Sequence, residues 1–134
     1  MLILARNPKA IDLLHMLIGR DSKLPCSELF QDYAQREWEI ALMEFIHGMT
    51  LILTTSFQLS KGLNLPGLET ILVHDMPWEF EEYLAAVGRV GRIGNTGKAK
   101  VFFNVERDLG HGVSAIRSFE ISWADRSSTI TGYL

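Results

Sequence analysis

The sequence predicts an α/β fold, a three-layer sandwich whose mainly parallel sheet of five or more strands carries helices on both faces. Two observations lead there. Five apolar, β-branched runs recur along the 134 residues, and they are continuous, not alternating, as strands buried on both faces require. Segments with helical spacing separate them, and a repeated strand–helix order marks parallel strands joined by right-handed crossovers.

Leu2–Ala5 is the first predicted strand. No basic leader or small-residue cleavage site accompanies it, so it reads as a strand and not as a signal peptide. A chain that opens directly on a strand is expected to be a domain excised from a longer protein. Ile11, Leu14 and Ile18 then recur on one helical face. Cys26–Phe30 is the second strand. Trp38, Ala41, Leu42 and Phe45, with Ile46 beside them, form the next apolar stripe. Thr50–Thr55 and Thr70–His74 are the third and fourth strands, Glu81–Val87 a shorter helix, Lys100–Asn104 the fifth strand and Arg107–Phe119 a last helix. The tail, 118–134, is ambiguous: Ser127, Ser128 and Thr129 read as loop, and the end either packs back or frays. There is no internal repeat, low-complexity tract or linker, so residues 1–134 are read as one domain.

Composition sets bounds. At 47 % hydrophobic and 22 % charged residues the chain has an ordinary globular make-up. No apolar run approaches the roughly 18 residues of a membrane span, so no membrane partner is expected. The single cysteine, Cys26, has no intrachain disulfide partner, which fits a reducing, intracellular setting. His15, His47, His74 and His111 are scattered without metal-ligand spacing, and no metal site is expected. Net charge is −3, from 13 basic and 16 acidic residues. A domain that grips nucleic acid alone is usually basic, so any such contact here must come from a local patch, be weak, or need a partner domain.

Ligands of parallel α/β sheets bind at the carboxyl ends of the strands. The loops at Asn7, Gln31–Gln35, Ser56–Asn64 and Gly88–Gly97 should emerge there. The last is the most informative, because it places Arg89 and Arg92 in a glycine-rich turn after a predicted helix. Glycine removes bulk and permits tight turns, so the guanidinium groups are expected to project outward. A planar, always-charged fork suits a phosphate oxygen.

Several motifs in order resemble the second RecA-like domain of DEAD-box RNA helicases, from about Leu2 to about Arg107. Lys61-Gly62-Leu63-Asn64-Leu65-Pro66 is similar to the family's Arg-Gly-x-Asp-Ile-Pro. Gly88-Arg89-x-Gly91-Arg92-x-Gly94-Asn95-x-Gly97 is similar to its arginine motif. His74-Asp75-Met76-Pro77 followed by Glu81-Glu82-Tyr83, and Gly97-Lys98-Ala99 before Phe102 and Phe103, add specificity. The resemblance implies a RecA-like lobe whose active site lies in a cleft shared with an N-terminal RecA-like domain. That first domain supplies the phosphate-binding loop and the magnesium carboxylates. Nothing here reads Gly-x-x-x-x-Gly-Lys-Thr or Asp-Glu-Ala-Asp, so ATP and Mg would engage only with the first domain present. The isolated chain is expected to have no cofactor and no ATPase activity. Arg89 and Arg92 would be catalytic in the manner of arginine fingers, which raise phosphoryl-transfer rates by orders of magnitude. With Asn64 they would bind the nucleotide. Asn7, Gln35, Ser56, Lys61 and Gly62 would hold single-stranded RNA.

Departures from the family pattern accompany the matches. Where the family has His-Arg before its Gly-Arg, this chain has Ala85 and Ala86. The ribose-holding aspartate is Asn64, and Lys61 replaces an arginine, losing the bidentate fork. His-Gly-Asp reads Phe30-Gln31-Asp32, and Gln-x-x-Arg reads Gln35-Arg36-Glu37-Trp38. Trp78 stands at the expected cap of the next helix and cannot accept its orphan amide protons; Glu79, Glu81 and Glu82 partly compensate through the helix dipole. This erosion is similar to that of Tudor-domain proteins of the piRNA pathway, the female-sterile Yb type. Such a protein would act in transposon silencing from the cytoplasm, in an RNA granule.

Plainer readings stand beside these. Arg89 and Arg92 are otherwise solvated loop arginines, and Ser56, Lys61 and Gly62 an ordinary strand-to-helix turn. Asn7 is equally an Asx cap near Lys9. Trp38 stacks on a base, meets a protein or belongs to the core, and Trp78 packs locally or at an interface. Trp123 carries no reading. His74 and Asp75, as strand neighbours, are expected to point to opposite faces. The expected function is the RNA-binding C-terminal lobe of a DEAD-box-type ATP-dependent RNA helicase, eroded. Its rival is a non-catalytic scaffold that self-associates as a homodimer or docks a protein partner. A third reading is an active helicase whose substitutions are neutral.

Overall fold

A computed structural model describes residues 1–90 and 97–102 of the chain. Its five strands are β1 (Leu2–Ala5), β2 (Cys26–Glu28), β3 (Ile52–Ser56), β4 (Thr70–Val73) and β5 (Lys98–Val101). All pairings are parallel, in the order β2-β3-β1-β4-β5. The helices are α1 (Pro8–Leu17), α2 (Gln35–Ile46), α3 (Phe57–Ser60) and α4 (Phe80–Val87). The sandwich inferred from the sequence is therefore correct.

Strand β1 sits at the centre, in register with β3 (Leu2 opposite Leu53, Ala5 opposite Ser56) and with β4 (Leu4 opposite Val73). Its alternate side chains serve two cores. Leu2 and Leu4 join Leu53, Ile71, Val73 and Val101 in one cluster, covered by Trp38, Ala41, Leu42 and Phe45 of α2 and by Phe80, Tyr83 and Val87 of α4. Ile3 and Ala5 face the other way and are also buried, on the side where α1 lays Ile11 against β1, β2 and β3. Thr54 and Thr55 are fully buried on β3 without penalty, because their hydroxyls donate to the carbonyls of Ser27 and Leu29.

Among the boundaries that differ from the sequence reading, three shift by two residues. β2 ends at Glu28, two residues early, as the chain turns through Phe30–Tyr33. β3 starts at Ile52 and not Thr50, because the end of α2 claims that stretch. Gly48 adopts φ +74, and the N–H groups of Met49 and Thr50 donate to the Glu44 carbonyl at 2.9 and 3.2 Å. This is a Schellman-type closure that needs a left-handed residue. β5 runs from Lys98, two residues before the expected start, anchored by Lys98 N–H to the Glu69 carbonyl at 2.8 Å. Outermost of the described strands on its side, it alternates exposed lysines with buried Ala99 and Val101, which a search for continuous apolar runs overlooks. The expected helix 107–119, the tail 118–134 and Arg92 lie outside the described residues.

Leu53, on β3 with no exposed surface, is the sharpest test of this core. Leu53→Ala is expected to lower unfolding free energy by about 2–5 kcal/mol. Urea titration checks it, with a reduced midpoint and an unchanged slope expected.

Candidate functional site

The carboxyl ends of the strands open on one edge. β3 runs straight into α3, with Ser56 as N-cap: its Oγ accepts the Leu59 N–H at 3.2 Å. One turn later the N–H groups of Lys61 and Gly62 donate to the carbonyls of Gln58 and Leu59. The end of α4 approaches the same turn. It closes at Gly88, where a Cβ would sit 3.1 Å from the Leu84 carbonyl oxygen, a tight approach that glycine avoids. Arg89 then folds back. Its Nη1 donates to the Ala85 carbonyl at 2.7 Å and its Nη2 to the Lys61 carbonyl. The Lys61 Nζ lies 2.7 Å from Glu82 Oε1. Arg89, Lys61 and Glu82 thus latch α3 to α4.

The structure therefore brings Ser56, Lys61, Gly62 and Arg89 together on one rim. The guanidinium of Arg89 was expected to project outward; instead it is turned onto backbone carbonyls, because the last carbonyls of α4 lack helical donors. Gly62 is exposed, has no positive φ, and a Cβ there would meet nothing within 4 Å. Asn64, just past it, is exposed. Asn7 is the N-cap of α1, its Oδ1 accepting the Lys9 N–H at 2.9 Å, so the Asx-cap reading describes its carbonyl. Its loop follows Ala5, which is in register with Ser56. Gln35 is not in a loop as expected. It is the first residue of α2, because the Glu37 carboxylate accepts the Ala34 N–H at 3.0 Å and starts the helix there. The Gln35 amide donates to Glu39 Oε1 at 2.8 Å.

Trp38 is half-buried against the main core, which matches the plain reading of its stripe. Trp78 is 61 % exposed, and the Arg6 guanidinium carbon lies 4.1 Å from its ring centroid. The cap of α4 is Glu79, not Trp78, and its side chain makes no capping bond; Glu81 and Glu82 occupy the first turn. His74 and Asp75 also depart from expectation. β4 ends at Val73, so strand alternation no longer governs them, and His74 Nδ1 comes within 3.7 Å of Asp75 Oδ1. Asp75 accepts the Arg6 backbone N–H at 2.7 Å. Burial works to raise the Asp75 pKa, but the neighbouring His74, the Arg6 N–H and the Arg6 guanidinium outweigh it and hold the carboxyl below the usual range. Among the described residues, no group of three His, Cys, Asp or Glu side chains is arranged to hold a metal ion.

Sequence reasoning missed Arg6, Glu82 and the role of Asp75. Asp75 and Glu82 lay in quoted motifs without a role at the site, and Arg6 showed only its position after β1; their roles become legible once the strand order is known.

The model of the helicase conserved C-terminal domain matches residues 1–94. Among curated proteins, the chain is 26 % identical over 119 residues to the ATP-dependent RNA helicase vasa of Drosophila melanogaster, an alignment covering 89 % of this chain and 18 % of vasa. The chain thus spans less than a fifth of that relative. Among solved structures, the C-terminal domain of the DEAD-box protein Dbp5 superposes with a TM-score of 0.77 at 22 % identity, covering 98 % of this chain and 73 % of that one. The yeast DEAD-box splicing factor Prp28 gives 0.83 at 20 % identity, over 97 % and 28 %. Domain 2 of the DEAD-box helicase Mss116p, bound to an RNA duplex, gives 0.77 at 21 % identity, over 99 % and 51 %.

Asp75 gives this edge a pH signature. A carboxyl with a depressed folded-state pKa adds stability above its unfolded value and loses it as pH falls through the folded one. Asp75→Asn is expected to cost about 1–3 kcal/mol at pH 7. Urea titrations from pH 7 downward should show the two proteins converging below pH 3.8, the group's unperturbed value.

Proposed function

The chain belongs to the helicase conserved C-terminal domain family, and from that premise we propose that it is the RNA-binding C-terminal lobe of a DEAD-box-type ATP-dependent RNA helicase. Single-stranded RNA runs over the Ser56–Gly62 rim with its phosphates toward the protein. Gly62 is the observation that carries this reading. Among the described residues, neither backbone angle nor packing calls for a glycine there. What remains is the need for something outside the chain to approach the backbone closely, as a phosphate contact does. The Lys61 cation and the Ser56 hydroxyl stand beside it, and Asn7 and Gln35 extend the rim at its margins. That domain 2 of Mss116p is bound to an RNA duplex supports the ligand class.

Nucleotide handling is proposed only with an N-terminal RecA-like partner domain. Arg89 offers a cation and Asn64 a neutral amide, a set that fits a phosphate and a ribose held mainly from across a cleft, with magnesium carried by the other lobe. When bound, ATP would supply the phosphoryl group; Arg89, released from the Lys61 carbonyl, would neutralise charge on it, and Arg92 would join from outside the described residues. The departures at Ala85, Ala86, Asn64 and Lys61 support a weakened motor, and with it a role in piRNA biogenesis and transposon silencing in a cytoplasmic granule. One observation favours the scaffold as a second reading. The outer side of α2 and the turn after it expose Ile40, Met43, Ile46, Met49 and Leu51, an apolar surface of the kind that homodimers or protein partners cover.

Gly62→Ala is expected to change stability by less than about 0.5 kcal/mol yet weaken binding of a single-stranded RNA oligomer. Lys61→Ala should lower the slope of log affinity against log salt by about 0.7. Fluorescence anisotropy at several salt concentrations measures both. Unchanged binding by Gly62→Ala would remove the rim's main support. The 134-residue chain alone should release no phosphate from ATP above a blank.

A further inference from the structure

The strand order reverses between β1 and β4, and crevices at such a switch point collect ligands. Arg6 leaves β1 there, and Trp78 follows β4. The guanidinium lies over the indole within cation–π range. Arg6 is itself positioned: its N–H donates to Asp75 Oδ1, and its Nε lies 3.9 Å from Asp75 Oδ2. A cavity of about 290 Å³ adjoins the pair, lined among others by Phe30, Gln31, Asp32, Ser56, Gln58 and Glu82. Trp78 nonetheless keeps 61 % of its surface exposed. An indole held in a fixed plane by a positioned cation, beside an open cavity, is built as a surface to stack on.

We propose that the Arg6–Trp78 pair is a stacking platform for one base of single-stranded RNA. The inference rests on the RNA reading above and adds a base contact where that reading has only phosphate contacts. Charge selects the base over the phosphate. The Asp32 and Glu82 carboxylates on the cavity wall repel a phosphate but accept hydrogen bonds from base N–H groups, and Gln31 and Gln58 both donate and accept. Stacking is tolerant of sequence because every base has a π-face. It also supplies affinity that this rim otherwise lacks. Among the described residues, Lys61 is paired with Glu82 and Arg6 with Asp75, so a phosphate must compete with a carboxylate for either cation and a stacked base adds affinity that does not.

The test measures binding of the 134-residue chain to labelled single-stranded U10 and to an abasic strand of the same length. Trp78→Ala should weaken U10 binding about five- to a hundredfold, leave abasic binding unchanged, and be rescued largely by Trp78→Phe. If U10 binds Trp78→Ala and wild type alike, the platform is overturned while the RNA reading stands. If Trp78→Ala weakens both strands equally, the indole acts structurally and the platform is overturned. If wild type binds neither strand at low salt, the RNA reading falls and the platform with it. If Trp78→Ala abolishes a concentration-dependent increase in mass but keeps U10 binding, the indole belongs to a protein interface and the platform is overturned.

Discussion

Strand β1 is buried on both faces, with Leu2, Ile3, Leu4 and Ala5 all below 3 % exposure. Water cannot satisfy its peptide groups, so the sheet must, through a parallel neighbour on each side. Most of the rest follows from that constraint. Parallel neighbours demand crossovers, the crossovers supply the covering helices, and every strand then points the same way. The polar residues that end the strands have only one edge on which to gather. Arg6, Ser56 and Asp75 are brought to one rim by the register of three adjacent strands, although Arg6 and Asp75 are 69 residues apart.

That rim spends much of its polarity on itself. Asn7 and Ser56 cap helices, Arg89 binds two backbone carbonyls, and Lys61 pairs with Glu82. Such contacts are not permanent claims on the side chains. Arg89 and Lys61 are partly or fully exposed, and an exposed ion pair is worth about 0–1 kcal/mol. A phosphate oxygen brings a full charge to compete with a neutral carbonyl, so the latch between α3 and α4 can yield to a ligand without unfolding anything. The latch also holds the Lys61–Gly62 turn against α4, so movement of Arg89 is coupled mechanically to the turn proposed to meet RNA.

The sheet was legible in the sequence because a strand buried on both faces leaves a continuous apolar run, as at Leu2–Ala5. The elements that escaped are those where another force set the limits. α3 has four residues, too few to show a helical period. β5 alternates exposed and buried residues, and the start of β3 yields to the closure of α2 at Gly48. At the site, glycine-flanked Arg89 stood out from local composition alone. Its partner did not, because Lys61 lies 28 residues away and only the packing of α3 on α4 joins them. Gly62 gained meaning in the opposite way: among the described residues neither its backbone angle nor its surroundings call for a glycine.

The departure at Ala85–Ala86 has a structural side that motif comparison does not reveal. Ala86 is 1 % exposed and belongs to the main core beside Tyr83 and Val90, while Ala85 lies on the exposed side and lends its carbonyl to Arg89. A long charged side chain at 86 would have to bury its charge or force α4 away from the sheet, and an unpaired buried charge costs several kcal/mol. The alanines therefore do more than omit a polar contact. Alanine is the strongest helix former, and its small volume lets α4 settle on the sheet at the distance the Arg89 latch requires. At this helix end, Ala86 serves packing. Arg6 and the exposed Trp78 stand apart from that packing, at the reversal in strand order.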